Sequence, residues 1–553
     1  RREASRSVLR KIAEGHIEKE KLALIIMKAA PLIAEKDPVE LLISMLKGLA
    51  ADVDLHVQKA IALYGRRGTT KATLEEVDEL VRIVEARLGR MRRYFGDLWR
   101  LEPPILILPP FRPGRGRESW RGIQLDEEGI RRKLRSRIRG RKFLEIIDIQ
   151  EEIDIHSAGN GRAGVGTDAS VAEITLVHPE GSFLPAHHVY SFSAAAALDV
   201  YGAPEGPIYT DYDIFPEELR YYDDLQAAEK GYLLAPHLRE FFGEEDLRHA
   251  RYAALSLRQY DEDLRVLRGE ARWRPVGIKP GLNLPPRITL IIRDGRIFPT
   301  VHRLKDFEAD NIYGRLVRNE IGRFCEILDL TRREGRYGNV AYTAVVKNPE
   351  FSWLSPLVFW FLYEQGFIEN INDVYSAPLS DKIVAHLLFL GLARSNPDLT
   401  KSTDKVFCTF RMIRRFSDIA LERDQRPPKV DGNPIEEEKN DPDDWWNFIR
   451  ARLDEMKGEF APNLDVEDYR PFVYLCAKAG VLMAYGAPCA LYRSLTVENS
   501  GRHFLIPRLE TAAWLDDLDH AERSLRALLA WFVKHYTFDF DHIEGDGGDN
   551  GGL

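Results

Sequence analysis

Two aspartates are the residues best placed by type and spacing to do chemistry. Asp168 follows Gly164 and Gly166 at the entrance to a strand-like run, Val171 to Val177, where small neighbours leave a carboxylate exposed at a sheet end. Asp294 stands just beyond a second apolar run, Ile288 to Ile292, and precedes Gly295. Carboxylates at the ends of neighbouring strands hold hard divalent cations, and two such ions about 4 Å apart would activate water and neutralise the leaving oxygen of a phosphodiester. Each aspartate also has a plainer reading, as a capping or turn residue at 168 and as a tight Asp-Gly turn at 294.

A third acid belongs on the helix expected between these runs, Glu244 to Arg268. Leu247, Ala250, Ala254, Leu257 and Leu264 form one apolar stripe, and Asp261 falls in its gap, so periodicity turns Asp261 inward. A buried carboxylate needs a partner or a metal, because leaving it unpaired costs several kcal/mol. Arg258 or Arg265, one turn away, offers such a partner. Glu262 is rotated about 100° from Asp261 and Asp263 farther still. Lys347 ends a third apolar run, Val340 to Val346, as a point charge suited to a scissile phosphate or as a plain surface lysine.

The elements that must position these residues follow from the pattern of the chain. Residues 1–101 have helical periodicity, with Thr73-Leu-Glu-Glu76 read as a capping box before Val77, Leu80, Val81, Val84 and Leu88. Residues 102–142 read as a Pro/Gly linker and basic segment. From 143 to 536 strands alternate with helices, the mark of an α/β domain, interrupted by a polar insertion near 423–444. Residues 537–553 form an acidic, Gly-rich tail expected to be disordered.

Charge is distributed unevenly. The net charge is −9, yet Arg112 to Lys142 holds twelve Lys/Arg against four acids, so a nucleic-acid partner would meet a local patch. Arg131, Arg132, Lys133, Arg135 and Arg139 are the candidate phosphate contacts, with a solvated helix face or a partner-docking surface as the alternative. Trp445 and Trp446 would either stack on bases or pack in a core. No uncharged apolar run approaches the roughly 20 residues of a membrane span. Arg1 to Lys19 lacks the apolar centre of a secretory leader, and the four cysteines are far apart, an expectation of reduced thiols and a cytoplasmic setting.

Taken in order, the motifs resemble those of the NurA family of DNA-end-processing nucleases. Gly164-Val-Gly-Thr-Asp-Ala-Ser170 is similar to the family's glycine-flanked aspartate entering a strand. Asp294-Gly-Arg-Ile297 is similar to its Asp-Gly motif, departing at Arg296 where a small hydroxyl residue is usual. Ala344-Val-Val-Lys347, Ser380-Asp-Lys382 and Pro507-Arg-Leu-Glu510 resemble later motifs, the last contributing Arg508 and Glu510, with His520 a candidate for a late histidine. The resemblance spans roughly residues 143 to 530. It implies an RNase H-like mixed-sheet nuclease core using Mn²⁺ or Mg²⁺, with Asp168, Asp294 and Glu262 as ligands, periodicity favouring Asp261 as the rival of Glu262. It further implies a homodimer docked on a HerA-type hexameric ATPase, with DNA as substrate, in DNA repair or phage defence. Two other classes fit the same features: a catalytically silent adaptor binding DNA or an ATPase, favoured by Arg296, and a guide-binding Piwi-like domain.

Overall fold

The structure is a computed structural model, and it describes residues 19–64, 70–92, 122–148, 151, 162–176, 187–200, 209–214, 235–271, 273–275, 287–299, 312–331, 340–347, 353–396, 405–415, 488–499, 502–514, 518–519, 522 and 526. Helices and strands follow in the order α1 (Lys19–Ala34), α2 (Pro38–Tyr64), α3 (Lys71–Arg92), α4 (Glu127–Arg137), β1 (Ile138–Asp148), β2 (Arg162–Leu176), β3 (His187–Val200) and β4 (Tyr209–Ile214). They continue through α5 (Ala235–Arg268), β5 (Arg274–Pro275), β6 (Arg287–Asp294), α6 (Ile312–Asp329), β7 (Ala341–Val346), α7 (Leu354–Glu364), α8 (Asn372–Ser376) and α9 (Asp381–Ser395). Strands β8 (Lys405–Arg415), β9 (Pro488–Asn499) and β10 (Arg502–Trp514) close the series. The fold is mixed α/β with a mixed sheet, and the chain divides into two compact units built from interleaved stretches.

The first unit comprises Arg1–Asp148, Lys347–Arg414 and Tyr492–Arg508. Its amino-terminal helices α1, α2 and α3 match the helical reading of the sequence, and Val77 and Val84 are buried as their spacing requires. The cap differs from the expected one: helix α3 starts earlier, and Thr70 Oγ1 accepts from the Thr73 amide at 3.2 Å. Helices α1 and α9 approach closely at Gly391, where a side chain would strike the Met27 carbonyl. Residues 127–137, within the basic segment, form helix α4, because Asp126 caps Gly129 at 3.0 Å and basic residues fill the last turn. Strand β1 then pairs antiparallel with β8.

Asp381 is the other cap of this unit. Its carboxylate accepts from the amides of Trp353, Leu354 and Ser355 and from Ser355 Oγ at 2.7–3.2 Å, closing the start of α7 from a distant point in the chain. Burial pushes this carboxyl up, and those donors oppose the shift.

The second unit comprises Ile149–Val346, Arg415–Leu491 and Leu509–Leu553. Its strands lie in the order β10-β7-β6-β2-β3-β4-β5, β10 contributing residues 509–514. Strands β2, β3 and β4 run as an antiparallel meander, whereas β2, β6 and β7 are mutually parallel. Helix α5 packs on β2 and β3, and α6 packs on α5. Strands β2 and β6 therefore form the central parallel pair beneath α5. Ala163, Val165, Ile288, Leu290 and Ile291 are buried within that pair.

Candidate functional site

The two aspartates of the sequence argument stand where the parallel ladder between β2 and β6 ends: Asp294 is the last residue of β6, whereas Asp168 lies in the middle of β2, which begins at Arg162 and runs on beside β3 to Leu176, and not at a strand entrance. The parallel ladder pairs Gly164 with Leu290, Gly166 with Ile292 and Thr167 with Arg293. Asp168 and Asp294 are the next residues on each strand, so the register places them side by side on strands about 4.8 Å apart. Side chains alternate between the faces of a sheet, so both acids point to the same face, opposite to that of Thr167 and Arg293. Asp168 is exposed, and its Oδ1 accepts from the Ala169 amide at 2.7 Å. Asp294 is half-buried. The same face carries the small residues Gly166, Ser170, Ser193, Ala195 and Ala197 on β2 and β3, and the buried Ile288 and Leu290 on β6.

The turn after Asp294 is tied at successive backbone atoms. Gly295 has φ 99°, a left-handed conformation that a side chain would strain, and its amide donates to the Val345 carbonyl at 3.0 Å. The Ile297 amide donates to Glu510 Oε2 at 3.0 Å, and the Ile297 carbonyl accepts from Tyr260 Oη at 2.7 Å. Phe298 packs edge-on against Phe324 with ring centres 5.7 Å apart. A bare Asp-Gly turn needs none of these ties. They fix the backbone that carries Asp294.

Helix α5 covers the other face, and the acids it presents are not arranged as its apolar periodicity predicts. The inward acid is Asp263, at 0% exposure, because Ser256, Gln259, Tyr260 and Asp263 make a polar stripe at helical spacing that faces the sheet. Arg293 Nη1 donates to Asp263 Oδ2 at 3.2 Å, Tyr342 Oη donates to the same oxygen at 2.6 Å, and Arg293 Nη2 reaches Ser256 Oγ at 2.9 Å. The guanidinium lies 3.8 Å from the centre of the Tyr260 ring. Burial pushes the Asp263 carboxyl up, opposed by Arg293 and by the hydrogen bond from Tyr342.

Asp261 instead turns toward α6. It is 28% exposed, takes a 2.8 Å hydrogen bond from Arg323 Nε and sits 3.4 Å from Arg258. Glu262 is 1% exposed and pairs with Arg265 at 3.0 Å. Both helix acids thus have arginine partners, and both lie on the helix covering the face away from Asp168 and Asp294. Among the described residues no group of three or more His, Cys, Asp or Glu is placed to hold a metal ion. The two strand aspartates alone are brought together.

The remaining candidates are placed as follows. Lys347 is exposed and follows β7 directly, at the start of a stretch of the first unit. Glu510 is buried and serves the turn after Asp294, and Arg508 is buried in the first unit. His520, Trp445 and Trp446 lie outside the described residues. Within the basic run, Arg131 makes a two-pronged contact with Glu40, Arg135 pairs with Asp37, and Lys142 pairs with Glu35. Arg132 and Arg139 are exposed, and Lys133 is half-buried.

No protein-family model, curated protein or solved structure matches the chain.

Gln259, Arg293, Asp263 and Tyr342 are the residues that sequence reasoning passed over. The polar positions 256, 259, 260 and 263 repeat at i, i+3, i+4 and i+7, so the signal was present as a second stripe beside the apolar one. No helix among the described residues is long and apolar enough to cross a membrane.

Proposed function

We propose that the second unit is a divalent-metal-dependent deoxyribonuclease in which Asp168 and Asp294 hold Mn²⁺ or Mg²⁺. The observation that carries this reading is the parallel register, which makes the two aspartates neighbours on adjacent strands where the β2–β6 ladder ends. Asp294 ends its strand, and the carboxyl ends of parallel strands are where α/β sheets bind ligands. Two carboxylates fit such an ion, since Mg²⁺ is commonly bound through one or two carboxylates, retained waters and substrate phosphate oxygens. Bound there, the cation would neutralise phosphate charge and lower the pKa of an attacking water. The backbone ties around Gly295 and Ile297 hold one ligand in position before substrate arrives.

The proposal extends to an RNase H-like core, and the mixed sheet with its helices is what supports it. In this reading Lys347 is an electrostatic helper, and neither Glu262 nor Asp261 is the third ligand, because both lie on the helix that covers the opposite face of the sheet and both pair with arginine. DNA ends are the substrate, with a second copy of the chain and a HerA-type hexameric ATPase as partners in a cytoplasmic repair or defence role. The test is incubation of linear DNA with the full-length protein and Mn²⁺, with and without the ATPase. Degradation that disappears on Asp294→Asn supports the reading; intact DNA throughout, or undiminished cutting by the variant, overturns it.

The ion pairs of Asp261 and Glu262 favour a second reading, a catalytically silent adaptor of the same fold that binds DNA or the ATPase. It predicts intact DNA together with a measurable shift of labelled duplex on protein binding.

A further inference from the structure

We infer that Gln259 is a positioning residue that sets the spacing of Asp168 and Asp294, and that loss of its amide would weaken divalent-metal binding; this inference rests on the metal reading proposed above. Gln259 lies on the sheet-facing stripe of α5 and is buried. Its Nε2 donates to the Thr167 carbonyl at 3.2 Å and to the Asp294 carbonyl at 3.0 Å. One carbonyl belongs to the residue just before Asp168 and the other to Asp294 itself.

Both partners are acceptors, and only the amide nitrogen carries two hydrogens, so the chemistry fixes which way the side-chain amide points. The described ladder between β2 and β6 ends at Thr167 and Arg293. Beyond that point Gln259 takes the place of the missing ladder partner, stitching the two strands together where they carry the acids. The tie comes from the face opposite the carboxylates, so Gln259 sets their separation without occupying ligand space. Outer-shell groups of this kind typically change metal affinity about 10–100-fold when removed.

Gln259→Met keeps the volume and removes both hydrogen bonds. Thr343→Val is the matched control, because it removes a buried hydrogen bond of β7 to the Ile291 carbonyl, 2.9 Å, away from the strand ends. The experiment titrates Mn²⁺ alone into the full-length protein, reading free Mn²⁺ by its solution electron paramagnetic resonance signal, with the melting temperature recorded for each variant. The expected result is a Mn²⁺ affinity lowered at least about tenfold in Gln259→Met and unchanged in Thr343→Val. Equal affinity in wild type and Gln259→Met, or an equal loss in both variants, overturns the positioning role while leaving the metal reading intact. A wild type that binds no Mn²⁺, or binds it as tightly after Asp168→Asn and Asp294→Asn, overturns both. Should Gln259→Met not fold, Gln259→Asn, too short to bridge both carbonyls, replaces it with the same outcomes.

Discussion

Neighbouring residues on the same two strands have opposite fates. Thr167 and Arg293 point under α5 into a sealed network with Asp263 and Tyr342, whereas Asp168 and Asp294, one position on, point to the opposite face. The buried side spends its charges on one another: Arg293 is 2% exposed and meets a carboxylate, a tyrosine ring and a serine. The other side sets two carboxylates on neighbouring strands. A cation held there, as proposed, would offset their mutual repulsion. One face holds the helix in place, and the other carries the proposed metal ligands.

That contrast breaks most visibly on the sealed side. Arg293→Met leaves Asp263 buried without its cation, and urea denaturation should register a loss of about 3–5 kcal/mol. Combining it with Asp263→Leu should recover much of that loss, because an apolar pair of similar size avoids the desolvation of both charges. A single variant as stable as wild type would show that the network contributes no stability.

On the other side the expected pattern is reversed. Asp168→Asn or Asp294→Asn should leave the melting temperature within a few degrees of wild type while lowering Mn²⁺-dependent DNA cleavage by at least about 100-fold. Variants that unfold while retaining specific activity would assign these acids to the structure instead. Gly295→Ala should fall between the two, costing about 1–2 kcal/mol for a side chain in left-handed backbone and loosening Mn²⁺ binding through Asp294. Circular dichroism melts and metal titration on the same sample separate the two effects.

The basic run sharpens the comparison at a smaller scale. Arg131 and Arg135 already face Glu40 and Asp37, so their alanine variants should leave the salt dependence of DNA binding unchanged. Arg132 and Arg139 are exposed, and each should lower the slope of log affinity against log salt by about one if it meets a phosphate. Fluorescence anisotropy across a salt series reads that slope, and no change for either exposed arginine would move the DNA path elsewhere.

Strands β6 and β7 were legible because their apolar runs are short, β-branched and bounded by Gly or Pro, and Ile288–Ile292 and Val340–Val346 lie in them almost residue for residue, whereas β2 begins at Arg162, well before the expected Val171, because its glycine-rich first half carries no apolar run. The face of α5 was not legible. Its apolar stripe placed Asp261 inward, but the helix is buried on several sides, and a polar stripe at Gln259 and Asp263 faces the sheet because β6 offers it an arginine. Partners that distant in sequence leave no local trace. The same holds for the basic run, whose net positive charge is local while the neutralising Glu40 and Asp37 lie some ninety residues earlier. Neighbouring positions for Asp168 and Asp294 required the parallel register, which neither strand specifies by itself.

The most direct measurement of the central claim is anomalous scattering from crystals of the full-length protein grown with Mn²⁺. The account predicts a peak bridging the carboxylates of Asp168 and Asp294, absent after Asp294→Asn. Ordered aspartates with no peak between them, or a peak held by other residues, would contradict it.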